Sequence, residues 1–310
     1  MARPLVTVRD VTLREFGQNV PASAVDELWT ERRLWLAREL LQAGFRTIEV
    51  ASTASPVVAP AMAAERLRPF LDALGSPAGI ELITLVPSSR GYRRFTELGL
   101  GPDGLAHTMG VFLSAMDAHN LANLRCTVDE SLEALSTFVS EARREGVQVV
   151  GYVSAAFGFL PGRSAEVVGA DLERVAELIA RLADLGASTV TLSDLQGLAG
   201  PTETEDRLGE LINGRLASPV PLGYHPHHVD PDRALENVRA AAAAGVRLFD
   251  ASLGAVGGCV TGAPGNAPTE GVVATLESVG LRTGLDAKAL VALSRETSRR
   301  VFEPVISRST

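Results

Sequence analysis

Two histidines at alternate positions of a strand-like run, His225 and His227 in PVPLGYHPH (219–227), are spaced to grip one cation. Side chains at i and i+2 of a strand share a face, so both imidazoles would aim at one point. Two hydrogen-bonded histidines of an ordinary strand would read the same way. A second polar pair, Arg14 and Glu15 in DVTLREFGQNV (10–20), stands where the apolar run PLVTV should pass into its first turn. Ion pairs are costly to bury, which makes that place a site candidate. If the strands carrying these pairs are neighbours and APGNAPTE (263–270) delivers Asn266, two imidazoles, a carboxylate and an amide oxygen converge. Such a mixed set suits magnesium, manganese, cobalt or zinc, with positions left for substrate oxygens. The plainer readings are an Arg14–Glu15 salt bridge or helix-start carboxylate, and a turn asparagine.

The elements that must position these residues are legible as eight strand-like runs: 5–13, 46–52, 79–86, 107–115, 147–155, 188–194, 219–227 and 247–254. Between them lie amphipathic segments such as 128–146, with Leu132, Leu135, Phe138, Val139 and Ala142 at helical spacing, and 168–186. Several close on a glycine, as at Gly44, Gly146, Gly186 and Gly245. Eight strands each followed by a helix predict an α/β (β/α)8 TIM barrel as a single domain over about residues 5–280, with a C-terminal helical extension over 281–310. A doubly wound sheet is disfavoured, because REFGQ stands after the first strand where a glycine-rich phosphate loop belongs. Barrel enzymes build their sites at the carboxyl ends of the strands. Polar residues there are Arg14, Glu15, Glu49, Tyr152, Ser154, Asp194, His225, His227 and Asp250.

Composition narrows the partners. The 310 residues carry 29 Lys plus Arg against 37 Asp plus Glu, a formal charge of −8, which argues against nucleic acid or an anionic membrane as the partner. There is no 18-residue apolar run and no signal-like start, so a cytoplasmic location is expected. Cys126 and Cys259 are the only cysteines, too few for a disulfide framework or a zinc cluster. Cys126, in NLRCTVDESL, reads as a small buried hydrophobe, whereas Cys259 lies in the five-glycine loop GAVGGCVTGAPG.

Taken together, DVTLREFGQ, ASTASPVVAPAM, HPH and SLGAVGGCVTGAPGNAPTEGVV resemble the DRE-TIM metallolyases, and the glycine–cysteine loop resembles that of 3-hydroxy-3-methylglutaryl-CoA lyases. The likeness runs in order from residue 5 to about residue 300. It implies a divalent metal, magnesium or manganese first and cobalt or zinc next, held by Glu15, His225, His227 and Asn266. It implies Arg14, Cys259, Asp194 and Glu49 as catalytic groups, Gln18, Tyr152 and Glu270 as substrate contacts or supports, and a homodimer. Three departures surround the expected substrate pocket: Glu15 where these lyases usually have aspartate, a Cys259–Asn266 loop two residues shorter, and His228 after H-x-H.

The chemistry asks for the same parts. Cleaving the bond beside a hydroxylated carbon needs a cation on the hydroxyl and a fixed positive charge where the enolate oxygen forms. It also needs a base for the hydroxyl proton and an acid for the enolate carbon. The leading expectation is therefore a metal-dependent carbon–carbon lyase that cleaves a 3-hydroxy-3-alkyl acyl-CoA or related hydroxy acid to an acyl-CoA and a keto acid. A Claisen-type condensing enzyme joining acetyl-CoA to a 2-oxo acid is the alternative. A barrel serving only as a scaffold is a third reading, disfavoured by the intact metal and proton-transfer positions.

Overall fold

In the computed structural model, residues 3–162, 166–258 and 264–307 are described. Eight parallel strands close in chain order: β1 (Thr7–Asp10), β2 (Thr47–Ser52), β3 (Glu81–Leu85), β4 (Thr108–Ser114), β5 (Val149–Ser154), β6 (Ala187–Asp194), β7 (Leu222–Pro226) and β8 (Leu248–Ala251). The last pairs with the first, so β7, β8 and β1 are neighbours as the converging ligand set requires.

All eight expected strands form, but the first is shorter than its apolar run. The Asp10 carboxylate accepts from Thr12 N at 3.0 Å and Thr12 Oγ1 at 2.9 Å, turning the chain directly into a short helix, Thr12–Gln18. Arg14 and Glu15 therefore sit on a helix rather than in a strand or its turn. That helix is braced by the C-terminal extension, a helix at Ala287–Thr297 continued through a wide turn at Ser298–Phe302 to Glu303–Ile306. Phe302 and Phe16 place their ring centroids 4.5 Å apart, and Trp29 meets Phe16 at 6.2 Å from the other side.

The expected helix at 128–146 forms as Val128–Arg144, begun by a reciprocal Thr127–Glu130 cap, and it buries the apolar positions named above. The one expected at 168–186 starts only at Leu172, where Asp171 caps it. Gly44, at φ 105, ends the Trp29–Ala43 helix in the left-handed conformation glycine permits.

The barrel interior is divided. Ile83, Leu85, Val150 and Tyr152, with Phe112 against them, form an apolar cluster distinct from the main core between sheet and helices. Across from it, Arg9, Glu49, Thr191, His225 and Asp250 are buried polar groups. Branched apolar side chains usually fill such layers.

Candidate active site

The two histidines aim at one point. His225 Nδ1 lies 3.0 Å from Asp250 Oδ2, and His227 Nδ1 lies 2.8 Å from the carbonyl oxygen of Pro264. A carbonyl only accepts, so His227 carries its proton on Nδ1. Burial raises the Asp250 pKa, but the Arg9 guanidinium and the hydrogen bond from His225 outweigh it and hold Asp250 ionised, so His225 also donates from Nδ1. The two Nε2 atoms then face each other 3.0 Å apart, within reach of a hydrogen bond between the rings or of one shared cation. Burial, with His225 alongside, pushes His227 down to about 4, so its lone pair is free at neutral pH. Two ligand bonds of about 2.1 Å at right angles would set the nitrogens roughly 3.0 Å apart. The pair is spaced as two adjacent ligands of one cation.

An amide oxygen completes this approach. The chain after residue 263 runs beside the end of β7, with Ala267 N donating to Pro226 O at 3.0 Å and Asn266 bridged to His227. Asn266 Nδ2 donates to Val256 O at 2.9 Å, which leaves Oδ1 buried without a hydrogen-bond partner. Glu15 adjoins it, since both side chains flank Gly257 and Glu15 Oε2 accepts from Gly258 N at 3.3 Å. Burial raises the Glu15 pKa, but Arg14 and the two imidazoles outweigh it and hold the carboxylate below its ordinary range. Among the described residues no three His, Cys, Asp or Glu side chains form a cation cage by themselves. The donors here are two imidazoles and an amide oxygen, with a Glu15 carboxylate that is shared with Arg14 through an ion pair. An orphaned buried acceptor and two converging imidazole Nε2 atoms fit a divalent cation.

Arg14 is fixed from two sides. Besides Glu15, it gives Nε to Glu49 Oε2 at 2.7 Å and Nη2 to the same oxygen at 2.6 Å. Glu49 is fully buried, and its other oxygen accepts from the Tyr152 hydroxyl, which in turn accepts from Arg9. Arg14, Glu15, Gln18, Tyr152, His225 and His227 line one cavity of about 750 Å³, closed on the far side by Leu85, Phe112, Leu135 and Phe138. A separate cavity of about 670 Å³ lies at the amino ends of the strands, where Thr7, Thr47 and Glu81 line it.

Two expected site residues lie elsewhere. Asp194 is not on the cavity wall; its carboxylate accepts from Leu198 N at 2.9 Å and Ala199 N at 3.1 Å, capping the turn beyond β6. Burial nonetheless lifts it to about 6. Glu270 accepts from Ser294 Oγ at 3.0 Å and so ties its helix to the C-terminal extension. Cys259 lies outside the described residues. Sequence reading gave no role to Arg9 and only a position to Asp250. The available signal was a charged residue inside the first strand, TVRD.

Chemistry in barrel enzymes sits at the carboxyl ends of the strands, where the cation donors and Arg14 meet, so fold and site define a (β/α)8-barrel enzyme. The HMGL-like family profile matches residues 6–296. The chain belongs to the HMGL-like family. It is similar to (R)-citramalyl-CoA lyase of Chloroflexus aurantiacus, 33% identical over 311 residues that cover 97% of this chain and 92% of that protein. Hydroxymethylglutaryl-CoA lyase of Pseudomonas mevalonii is 32% identical over 271 residues, 87% of this chain and 85% of that one. The structure of an HMG-CoA lyase from Acinetobacter baumannii with coenzyme A and 3-methylmalate superposes with a TM-score of 0.82 at 30% identity, covering 96% of this chain and 91% of that one.

Proposed function

We propose that this protein, a carbon–carbon lyase of the hydroxyacyl-CoA class, works with a divalent cation held by Glu15, His225, His227 and Asn266. It cleaves a 3-hydroxy-3-alkyl acyl-CoA to an acyl-CoA and a keto acid. The observation that carries the cation reading is the pair of Nε2 atoms converging to 3.0 Å beside the unpartnered Asn266 Oδ1. Such a cation, magnesium or manganese by the donor types, supplies Lewis acidity to the substrate hydroxyl and an adjacent oxygen.

The chain's own groups do the rest. Arg14, held charged by Glu15 and Glu49, offers a fixed positive charge on the cavity wall for the oxygen that becomes an enolate. Glu49 anchors that guanidinium, and Tyr152 links Glu49 to the barrel interior. Gln18 lies on the same wall as a substrate contact. Asp194 or a ligating histidine is assigned the hydroxyl proton; the Asp194 main-chain oxygen also accepts from His227 N at 3.2 Å while its carboxylate accepts from Leu198 N. Cys259 is assigned, on family likeness, the protonation of the enolate carbon. A homodimer is proposed on the same likeness.

The test is to load the protein with Mn²⁺ and incubate it with a panel of 3-hydroxy-3-alkyl acyl-CoAs, following acyl-CoA and keto acid release. Stoichiometric products are expected from at least one member. Acetyl-CoA consumed only in the presence of a 2-oxo acid, with no cleavage of any member, would favour the condensing enzyme instead.

A further inference from the structure

Arg9 stands inside the barrel beneath the site, almost fully buried at 1% exposure, and touches both halves of the machinery without lining the substrate cavity. Its Nη1 donates to the Tyr152 hydroxyl and lies 3.8 Å from Glu49 Oε1, while Nε lies 3.5 Å from Asp250 Oδ1. Nη2 reaches Thr191 Oγ1 at 3.4 Å. Each carboxylate spends its other oxygen on a site residue: Glu49 Oε2 on Arg14, Asp250 Oδ2 on His225. One guanidinium thus lies in ion-pair reach of both the carboxylate that aims the arginine and the carboxylate that aims the imidazole, although its Nε and Asp250 Oδ1 make no hydrogen bond.

Stability does not account for this arrangement. A buried ion-pair network is commonly matched or bettered by well-packed apolar side chains, and barrel interiors are usually filled that way. A planar fork with donors on three nitrogens, however, can hold two carboxylates at a set separation, which a lysine's single point charge cannot. We propose that Arg9 is a positioning residue, setting Arg14 against His225 through Glu49 and Asp250. This rests on the lyase reading of the site.

Arg9→Lys keeps the charge and removes the fork, and Arg9→Met removes both. Wild type and variants are compared by thermal melting, by Mn²⁺ affinity from chelator competition, and by kcat and KM on whichever acyl-CoA the wild type cleaves. Folded Arg9→Lys is expected to bind Mn²⁺ about tenfold more weakly, as for other groups that orient a ligating histidine. Its kcat is expected to fall at least about tenfold with KM within a factor of about three, because Arg9 does not touch substrate. Arg9→Met, where it folds, should show both losses as well. Arg9→Lys that melts lower but keeps wild-type Mn²⁺ affinity and kcat would overturn the proposal, reducing Arg9 to a structural cation. Wild type that takes up no Mn²⁺ would overturn the cation reading itself, whereas normal wild type with an indistinguishable lysine variant sinks Arg9 alone.

Discussion

Gly257→Ala tests whether Glu15 and Asn266 converge as described. Gly257 has φ 110, and a methyl group built there would overlap Asn266 Nδ2 and come within 2.8 Å of both Glu15 Cβ and Glu15 Oε2. Ordinary contact begins near 3.4 Å, so the glutamate alone must give by more than half an ångström. The backbone conformation adds roughly 1–3 kcal/mol of strain for any residue with a Cβ. The variant should therefore melt below wild type without metal. The sharper effect concerns the ion. At a Mn²⁺ concentration of about 100 times Kd, binding stabilises the native state by about 2.7 kcal/mol. A tenfold weaker site would lower that gain to about 1.4 kcal/mol. Displacing the oxygen donors should also lower kcat/KM by about 10²-fold, the usual consequence of ångström-scale misplacement. Melting curves with and without Mn²⁺ give the first quantity, and acyl-CoA release gives the second. A variant with the wild-type Mn²⁺ gain and wild-type kcat/KM would mean that the two oxygens do not meet beside Gly257.

Glu49→Gln keeps the shape of the side chain but removes the charge that anchors Arg14; the lost charge-assisted hydrogen bonding, about 1.5–3 kcal/mol, should lower kcat by about 10- to 100-fold, and wild-type turnover would remove Glu49 from the mechanism. Cys259→Ala should slow turnover while leaving Mn²⁺ uptake unchanged, and full activity would show that another group protonates the enolate. Burial raises Asp10 from 3.8 to about 7 despite its bonds to Thr12, so the native state binds the proton more tightly than the unfolded chain. Stability from this group is present below pH 4 and is lost as the pH rises to 7, by at most about 4 kcal/mol. Asp10→Asn should accordingly be more stable than wild type at pH 7.5 but not at pH 4.5 in urea unfolding; an equal difference at both pH values would contradict the shift. Phe302→Ala removes the ring against Phe16, and its buried volume predicts a loss of about 3–5 kcal/mol in denaturant unfolding, with a loss under 1 kcal/mol counting against the bracing of the Thr12–Gln18 helix.

The barrel was legible because its signals are local and repeated: eight apolar runs at regular spacing need no long-range information. The convergence of His225 and His227 was legible for a different reason, since H-x-H fixes a shared face within one strand. Strand ends were read less well. PLVTVRDVTL looks like one continuous strand to residue 13, but a single carboxylate, Asp10, recruits Thr12 and starts a helix there, inside the apolar pattern. Asp194 shows the opposite limit. Its position at the end of β6 suits catalysis and capping equally, and its bonds from Leu198 N and Ala199 N depend on a turn that the sequence does not spell out. Arg9 could not be assigned from sequence, because its meaning depends on partners in β2, β5 and β8.

Strand order also decides where water is excluded. Because β7, β8 and β1 adjoin, the cation donors occupy one arc of the barrel mouth, and β3 and β4 lie across from them. That opposite arc contributes Leu85 and Phe112 to the cavity, with Leu135 and Phe138 from the following helix. Those four side chains offer no hydrogen bonds to solvent, although Ser88, Asn123, Arg125 and Ser131 line the cavity as well. The effect of the apolar arc on chemistry is electrostatic: two unit charges 4 Å apart interact by about 1 kcal/mol in water but by about 4 kcal/mol at an effective dielectric constant near 20. Arg14 gains the most from that difference. Its charge is set on one side of the cavity by Glu15 and Glu49, and the apolar arc limits how much of its field solvent can screen. The apolar side chains of the mouth therefore strengthen the field of Arg14 across the cavity.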